Sequence, residues 1–270
     1  MMARTIVSRV AYVLIAAAAL ASMQRMGLLD PEEVAPAGER LWDFATSLFP
    51  PATDVLPTLL RAMWETVQIA FVGTLLGFLL SLPLAFFATS TLFGPVISTP
   101  ARLVIGAVRT IPSLLWGVVF VVGFGLGPAA GALGVALYTV GYLGKLQYES
   151  FEAVDAEVLE AVRGVGSNRL QLFNYAVLPE AANAVISQLL FMFEYNIRAS
   201  SIMGFVGAGG IGYYMLGYLQ LLQYQELLTA LLITFVVVMA IDYASMRLRS
   251  LILAPAGQRT RAPILAGIFP

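Results

Sequence analysis

The 270-residue chain contains no cysteine and no histidine. It therefore cannot form disulfide bonds, present a thiol nucleophile or build the Cys/His sites that hold zinc and iron–sulfur clusters. Its one lysine, Lys145, is followed by leucine and lacks both the upstream glycine and the Ser or Thr of a phosphate-binding loop. We therefore expect no metal, no cofactor and no ATP hydrolysis in this chain.

Charged side chains are scarce as well. They make up 11% of the sequence, whereas hydrophobic residues make up 59% and the mean hydropathy is +0.85. A soluble domain carries roughly a quarter charged residues, so this composition indicates an integral membrane protein embedded in the lipid bilayer. No exposed basic surface of the kind that binds nucleic acid is evident, and no nucleic-acid partner is expected.

Apolar runs long enough to cross a bilayer core of ~30 Å predict an all-α protein with six transmembrane helices. The predicted spans cover residues 7–23, 63–88, 102–124, 128–148, 179–201 and 227–244. Residues 24–57 predict an outer loop with a short surface helix around 41–48. The first span also resembles a cleavable signal peptide, because Ala19-Leu20-Ala21 looks like a small-residue cleavage site; either alternative leaves the following segment outside.

The distribution of basic residues predicts the orientation of these spans. An even number of spans places both termini, the connection 149–178 and the tail 245–270 on one side of the membrane. That side carries most of the arginines and the lysine, and the other side carries Arg25, Arg40 and Arg61. The positive-inside rule therefore predicts that both termini and residues 149–178 are cytoplasmic.

The connection before the fifth span predicts a helix-turn-helix. Apolar residues recur at helical spacing and form one stripe, which consists of Val154, Val158, Ala161, Val162 and Val165. Gly166 suits the left-handed residue that ends a helix, and Ser167 is the predicted N-cap of a second helix. Leu170, Phe173 and Val177 form that helix's stripe, and Pro179 is predicted to begin the next span. The polar face is mostly acidic, which favours docking to a protein over binding to lipid headgroups.

The same segment resembles the EAA loop of bacterial ABC-importer permeases. The resemblance rests on Glu160-Ala161-Val162, Gly166 and Ala176-Val177-Leu178-Pro179. Val162 stands where a third alanine is usual, and Ala176 replaces a frequent isoleucine. The resemblance implies a cytoplasmic coupling helix between spans four and five that docks on a separate ATPase subunit. The residues implied in coupling are Glu160, Ala161, Val162, Gly166, Leu170 and Pro179.

Polar residues within the spans predict a substrate pathway, because each charge in the bilayer core costs at least ~2.5 kcal/mol. In span five, Asn183, Ser187, Glu194, Arg198 and Ser201 fall on one helical face. Arg198 is predicted near the outer end of this span, ~28 Å from Pro179. It would contact the substrate or form only a structural pair with Glu194, and both interpretations stay open.

Other residues of the spans carry further predictions. Arg109 lies just before Pro112, which loosens the helix and favours a gate or a lined cavity. Glu65 has an interfacial or a pathway role. Asp242, close to Arg247 and Arg249, is predicted to be a structural pair or a snorkelled carboxylate. Gly73 and Gly77 form a GxxxG pattern typical of close helix packing. The run GFVGAGGIG cannot form a lipid-exposed helix, so an outer gate is predicted at Gly207, Ala208, Gly209, Gly210 and Gly212.

A narrower resemblance involves three motifs. The chain looks like the phosphonate-type permeases of the ABC-importer family in these motifs. They are residues 193–201, FEYNIRASS, followed by the glycine run; Arg109-Thr110-Ile111-Pro112-Ser113-Leu114; and Glu65-Thr66. The resemblance implies the type I importer fold in a bacterial inner membrane and transport of phosphonates, phosphate or phosphite. It also implies a second copy of this chain, two ATPase subunits that hold ATP and Mg²⁺, and an extracytoplasmic substrate-binding protein.

Three alternatives to a phosphonate importer remain open. A methionine importer of the same family would share the EAA loop. A secondary transporter would need paired broken helices or inverted repeats, and no second copy of the glycine run is evident. A membrane enzyme acting on lipid phosphates would need a nucleophile or metal cluster, for which the acidic residues between 149 and 160 are the candidates.

Overall fold

The computed structural model describes residues 2–253, and every regular element in this range is helical. The contacts divide the chain into two units, residues 1–51 and 52–270. The predicted cytoplasmic tail falls mostly outside the described residues, including Arg259 and Arg261. Its first part, residues 245–253, instead continues the last helix.

The first unit contains α1 (Met2–Arg25) and α2 (Pro31–Ser47). Asp30 caps α2, because its Oδ1 accepts a hydrogen bond of 3.1 Å from the backbone N–H of Glu32. The sequence predicted a helix only around 41–48, since it contains prolines at 31 and 36. Pro31 occupies the first turn of α2, where a missing N–H costs nothing, so the helix begins earlier.

The second unit contains ten α-helices among its described residues. They are α3 (Leu56–Ala88), α4 (Ser90–Phe93), α5 (Pro95–Thr110), α6 (Ser113–Phe124), α7 (Pro128–Glu152), α8 (Ala156–Gly164), α9 (Arg169–Leu172), α10 (Leu178–Met203), α11 (Ile211–Gln220) and α12 (Tyr224–Leu253). A π-helical turn, Phe173–Val177, joins α9 to α10, and a 3₁₀ turn, Gly204–Val206, follows α10.

Four helical stretches within residues 2–253 are long and apolar enough to cross a membrane. They are α3, α7, the continuous helix Arg169–Val206 and the segment Tyr224–Leu251 of α12. The pair α5 and α6 makes a fifth when counted as one broken span. The apolar part of α1, Ala11–Arg25, is shorter, so the sixth span stays a prediction.

The third predicted span is broken rather than continuous. Its two helices meet at an angle of 86° between Thr110 and Ser113. Pro112 lacks an N–H and disfavours helical backbone in the residue before it, and Ile111 is accordingly extended, with φ −85° and ψ 122°. The connection 89–101 is also largely helical, because it contains α4 and the first part of α5, in whose first turn Pro95 lies.

The fifth span begins earlier than predicted. Pro179 does not start a new helix, because the chain is already helical from Arg169 through the π-helical turn. A proline inside a helix removes one backbone hydrogen bond and crowds the preceding turn, and a π-turn relieves both effects locally. The predicted distance from Pro179 to Arg198 is therefore not measured from the first residue of the helix.

Helices α3 and α7 pack closely through glycine, as the GxxxG pattern predicted. A Cβ placed on Gly73 would lie 2.5 Å from Cγ1 of Val135, and one placed on Gly77 would lie 2.5 Å from Cβ of Thr139. These approaches exclude any side chain at either position. The pair α3–α7 thus forms the centre on which α5, α6 and α10 pack.

Candidate functional site

A buried polar node joins α3, α7 and α10. Asn196 is fully buried, and its Nδ2 donates hydrogen bonds of 2.8 Å to the hydroxyls of Thr74 and Thr139. Sequence reasoning missed Asn196 because it lies off the predicted polar face of the fifth span. An asparagine away from that polar face, among apolar residues, was the signal that could have identified it. Hydrogen bonds of this kind hold membrane helices in register.

An ion cluster joins α10 to α12. Oε1 of Glu194 lies 3.0 Å from Nη2 of Arg198, and its Oε2 lies 3.1 Å from Nη2 of Arg249. Asp242 completes the cluster, with its Oδ2 3.5 Å from Nη1 of Arg198. Two carboxylates thus balance two guanidinium groups. Asp242 does form a structural pair, but with Arg198, whereas Arg247 donates to the hydroxyl of Tyr243.

The position of this cluster along α12 follows from its two members on that helix. Asp242 and Arg249 lie ~27 Å and ~38 Å along α12 from its start at Tyr224, at ~1.5 Å per residue. Arg198 contacts Asp242 and therefore lies beside the second half of α12. Its predicted place near the outer end of the fifth span stays a prediction.

The other members of the predicted polar face do not join this cluster. Ser201 is buried and donates to the carbonyl of Ile197 at 3.1 Å, within its own helix. Ser187 is partly buried and Asn183 is exposed. Of the five residues on the predicted polar face, the structure thus brings together Glu194 and Arg198.

The glycine run after α10 forms a buried loop. Gly207, Gly209 and Gly210 have φ values of 83°, 80° and 73°, a conformation that side chains other than glycine rarely adopt. Ala208 between them is 1% exposed. Gly212 approaches the backbone of Ser201 too closely to carry a side chain. The loop therefore requires glycine for two reasons, conformation and close approach.

Two side chains of α3 hold this loop. Oε1 of Glu65 accepts a 2.8 Å hydrogen bond from the N–H of Gly210, and Oγ1 of Thr66 accepts one of 2.8 Å from the N–H of Ile211. The N–H of Gly127 donates to the carbonyl of Gly207 at 2.9 Å. Glu65 and Thr66 thus each satisfy one free N–H group at the start of α11, where the carboxylate of Glu65 is also favoured by the helix dipole.

A basic groove lies between α5 and α7. It has a volume of about 400 Å³ and is lined by Arg102, Ile105, Gly106, Arg109, Thr110, Lys145 and Tyr148. Arg109 lies in the last turn of α5, just before the break at Pro112, and its guanidinium carbon lies 5.7 Å from the ring centroid of Tyr142. Arg109 thus lines this groove, and its predicted role in a gate or a lined cavity stays a prediction.

The predicted coupling segment forms α8 and the turn that follows. Asp155 caps α8 by accepting a 3.1 Å hydrogen bond from the N–H of Glu157, and Gly166 ends the turn with φ 82°, as predicted. The N-cap of the next helix is Asn168 instead of Ser167. Its side chain and that of Gln171 form a reciprocal capping box with two 2.9 Å hydrogen bonds. A capping box joins residues three positions apart, so Ser167 cannot form one with Gln171.

The apolar stripe of α8 divides between the interior and the surface. Leu159, which the predicted stripe omitted, is buried, and Val162 packs partly against the same core. Val165 and Leu170 are 84% and 58% exposed. Glu160 and Ala161 are exposed too, and so is Pro179. The segment is therefore anchored on one side and leaves apolar side chains free on the other.

Comparison with known proteins gives concordant matches. The model of the family described as binding-protein-dependent transport system inner membrane component matches residues 73–253. The phosphite transport system permease protein PtxC of Stutzerimonas stutzeri is 34% identical over 83% of this chain and 82% of its own length. The phosphate-import permease protein PhnE of Mycolicibacterium smegmatis is 37% identical over 76% of this chain and 39% of its own length.

A solved structure shares the fold. It is an inward-facing conformation of the MetNI methionine ABC transporter, with a TM-score of 0.66 over 74% of this chain and 98% of that chain. The sequence identity of 22% makes this a likeness of fold alone. The matched family region contains α8, the glycine loop and the ion cluster, so all three features lie within the shared architecture.

Proposed function

The chain belongs to the family of binding-protein-dependent transport system inner membrane components, and from this premise we propose that it is the permease of an ATP-driven importer for phosphorus oxyanions. The observation that carries the substrate class is the similarity to permeases named for phosphite and phosphate, which extends over most of this chain. Phosphonates share the same tetrahedral oxyanion head. The likeness to a methionine transporter concerns the fold and does not favour methionine.

The partners follow from the same proposal. An ATPase subunit that holds ATP and Mg²⁺ would dock on α8 and α9, where Val165, just after α8, and Leu170, in α9, are exposed. A binding protein would deliver the anion from outside, and a second copy of this chain would complete the pathway. The proposed coupling residues are Glu160, Ala161, Val162, Gly166, Leu170 and Pro179. Both termini are proposed to be cytoplasmic.

Reconstituted transport tests this function. We would place the chain in proteoliposomes with the ATPase and binding protein that co-purify with it, and measure uptake of radiolabelled phosphite, phosphate and methylphosphonate. We expect uptake of at least one anion to require ATP, with methionine failing to compete. ATP-dependent uptake of methionine in the absence of any oxyanion uptake would overturn the substrate class.

Coupling should depend on the left-handed turn at Gly166. Because Gly166 has φ 82°, valine there is strained by roughly 1–2 kcal/mol and should shift the orientation of α8 against α9. We expect Gly166→Val to lower ATP-dependent uptake at least about fivefold while the chain still folds. Gly164→Val is the matched control, because a side chain at Gly164 meets nothing within 4 Å and its φ is ordinary. Equal uptake by the two variants would contradict the proposed coupling turn.

The glycine loop is proposed to form part of the outer gate. In this conformation Ala208 is 1% exposed, so a cysteine at this position should react slowly with a polar thiol reagent. We expect Ala208→Cys, in this cysteine-free chain, to react at least about fivefold faster in one nucleotide state of the complex. Leu221→Cys, at a position that is 70% exposed, should react equally in all states. Identical labelling of Ala208→Cys in every state would exclude movement of the loop.

A further inference from the structure

The basic groove between α5 and α7 carries more positive charge than the described carboxylates near it neutralise. Arg102 pairs with Glu152, and Nε of Arg102 donates to the carbonyl of Ala88 at 2.8 Å. Lys145 pairs with Glu149 one turn along α7, at 3.2 Å. Both members of that second pair are more than a third exposed, so it holds the ammonium group weakly.

Arg109 is the cation of this groove without a carboxylate. Among residues 2–253, no Asp or Glu lies within ion-pair distance of its guanidinium group, which contacts the face of Tyr142 instead. It lies beside Gly141, where an added Cβ would be 2.9 Å from the backbone nitrogen of Arg109. Gly141 is near the middle of α7, ~20 Å from Pro128 and ~16 Å from Glu152 at ~1.5 Å per residue.

A single exposed guanidinium group halfway along membrane-spanning helices cannot face lipid without a large cost in free energy. A hydrated groove with an anion as counter-ion removes most of that cost. The groove supplies the space, because its volume of about 400 Å³ is much larger than a tetrahedral oxyanion requires. It also supplies a planar guanidinium group, which donates two parallel hydrogen bonds to such an anion.

The cations of α10 and α12 differ in this respect. Arg198 contacts two carboxylates, Glu194 at 3.0 Å and Asp242 at 3.5 Å, and Glu194 is shared with Arg249. An anion arriving at Arg198 would have to displace these carboxylates. At Arg109 an incoming anion displaces no carboxylate of residues 2–253.

We propose that the basic groove is the inner oxyanion site of the transport pathway, with Arg109 as the primary contact. Lys145 and Arg102 continue the positive charge from the middle of α7 toward its end at Glu152, beside the coupling segment. A phosphorus oxyanion would bind at Arg109 and leave along these side chains. The inference rests on the proposed function, because it assumes that the transported solute is such an anion.

The test measures binding and transport separately. Radiolabelled phosphate and phosphite would be bound to the full chain in nanodiscs of phosphatidylcholine, and uptake would be followed in the reconstituted complex. We expect Arg109→Gln to weaken anion binding at least about tenfold and to raise the KM for uptake, and Arg109→Lys to retain part of the binding and of the uptake. Arg61→Gln, which removes an exposed arginine far along α3 from the groove, should change neither.

Four outcomes separate the interpretations. If the wild-type complex moves no phosphorus oxyanion, the proposed function fails. If it does, and Arg109→Gln binds and transports within about twofold of wild type, the groove site is wrong. If native mass spectrometry shows an anionic lipid retained by wild type and lost from Arg109→Gln, while free phosphate does not compete, the groove holds a lipid headgroup and the proposal is overturned. If Arg109→Gln and Arg109→Lys both fail to assemble with the ATPase, Arg109 is structural, which also overturns it.

Discussion

Replacing Gly77 with leucine should prevent the chain from accumulating as a folded protein. A Cβ at this position would lie 2.5 Å from Cβ of Thr139 and 2.7 Å from the carbonyl oxygen of Ala136. The second of these atoms belongs to the backbone of α7 and cannot rotate away. Helix α3 would have to separate from α7, and Thr139 would lose its hydrogen bond to Asn196. We expect the free energy of unfolding to fall by about 3 kcal/mol or more.

The measurement is the yield and thermal stability of detergent-purified protein. Gly123→Leu is the matched control, because a Cβ on Gly123 in α6 meets nothing within 4 Å. That variant should melt within a few degrees of wild type. If Gly77→Leu were as stable as Gly123→Leu, the close packing of α3 on α7 would be wrong.

Features determined by local sequence were predictable. The left-handed turn at Gly166 and the close packing at Gly73 and Gly77 were found from the sequence, because each depends on what glycine alone permits. Proline was harder to interpret. Pro95 begins a helix, Pro112 breaks one and Pro179 lies within one, so the effect of each depended on the neighbouring turns.

The candidate site was predictable only within single helices. Glu194 and Arg198 lie one turn apart, so helical spacing alone placed them together. Their partners Asp242 and Arg249 belong to α12, and no spacing rule identifies which turn of a distant helix will face α10. The same limit applies to Asn196, whose partners Thr74 and Thr139 lie on two other helices.

These partners change how the pair of charges must be tested. The sequence alone suggests exchanging the charges of Glu194 and Arg198. In the structure that exchange would place arginine at 194 beside Arg249 and glutamate at 198 beside Asp242. Both new contacts are repulsive, so the exchanged protein would lose stability whether or not Arg198 binds substrate.

Glu194→Gln should destabilise the protein strongly. Glu194 is 14% exposed and accepts from two guanidinium groups. Among the described residues, its loss leaves Arg249 without a carboxylate and Arg198 with Asp242 alone. We expect the free energy of unfolding to fall by about 1–3 kcal/mol, less than for a fully buried pair because both arginines are partly exposed. Arg249→Gln should be similar, and the double variant should lose less than the sum. Arg247→Gln is the control and should stay within about 0.5 kcal/mol of wild type, because this arginine is exposed and its contacts within residues 2–253 are to the hydroxyl and ring of Tyr243.

The role of Arg198 itself is tested by removing its charge together with that of its partner. In the double variant Arg198→Gln with Asp242→Asn, one positive and one negative charge are lost, so the pairing of Glu194 with Arg249 stays balanced. If Arg198 is structural, this variant should regain stability and oxyanion uptake relative to Arg198→Gln alone. If Arg198 contacts the substrate, the double variant should regain stability but not uptake, since no guanidinium group remains for the anion. Because Arg198 already forms ion pairs with two carboxylates, we expect uptake to recover together with stability in the double variant. A stable double variant that does not transport would refute that expectation.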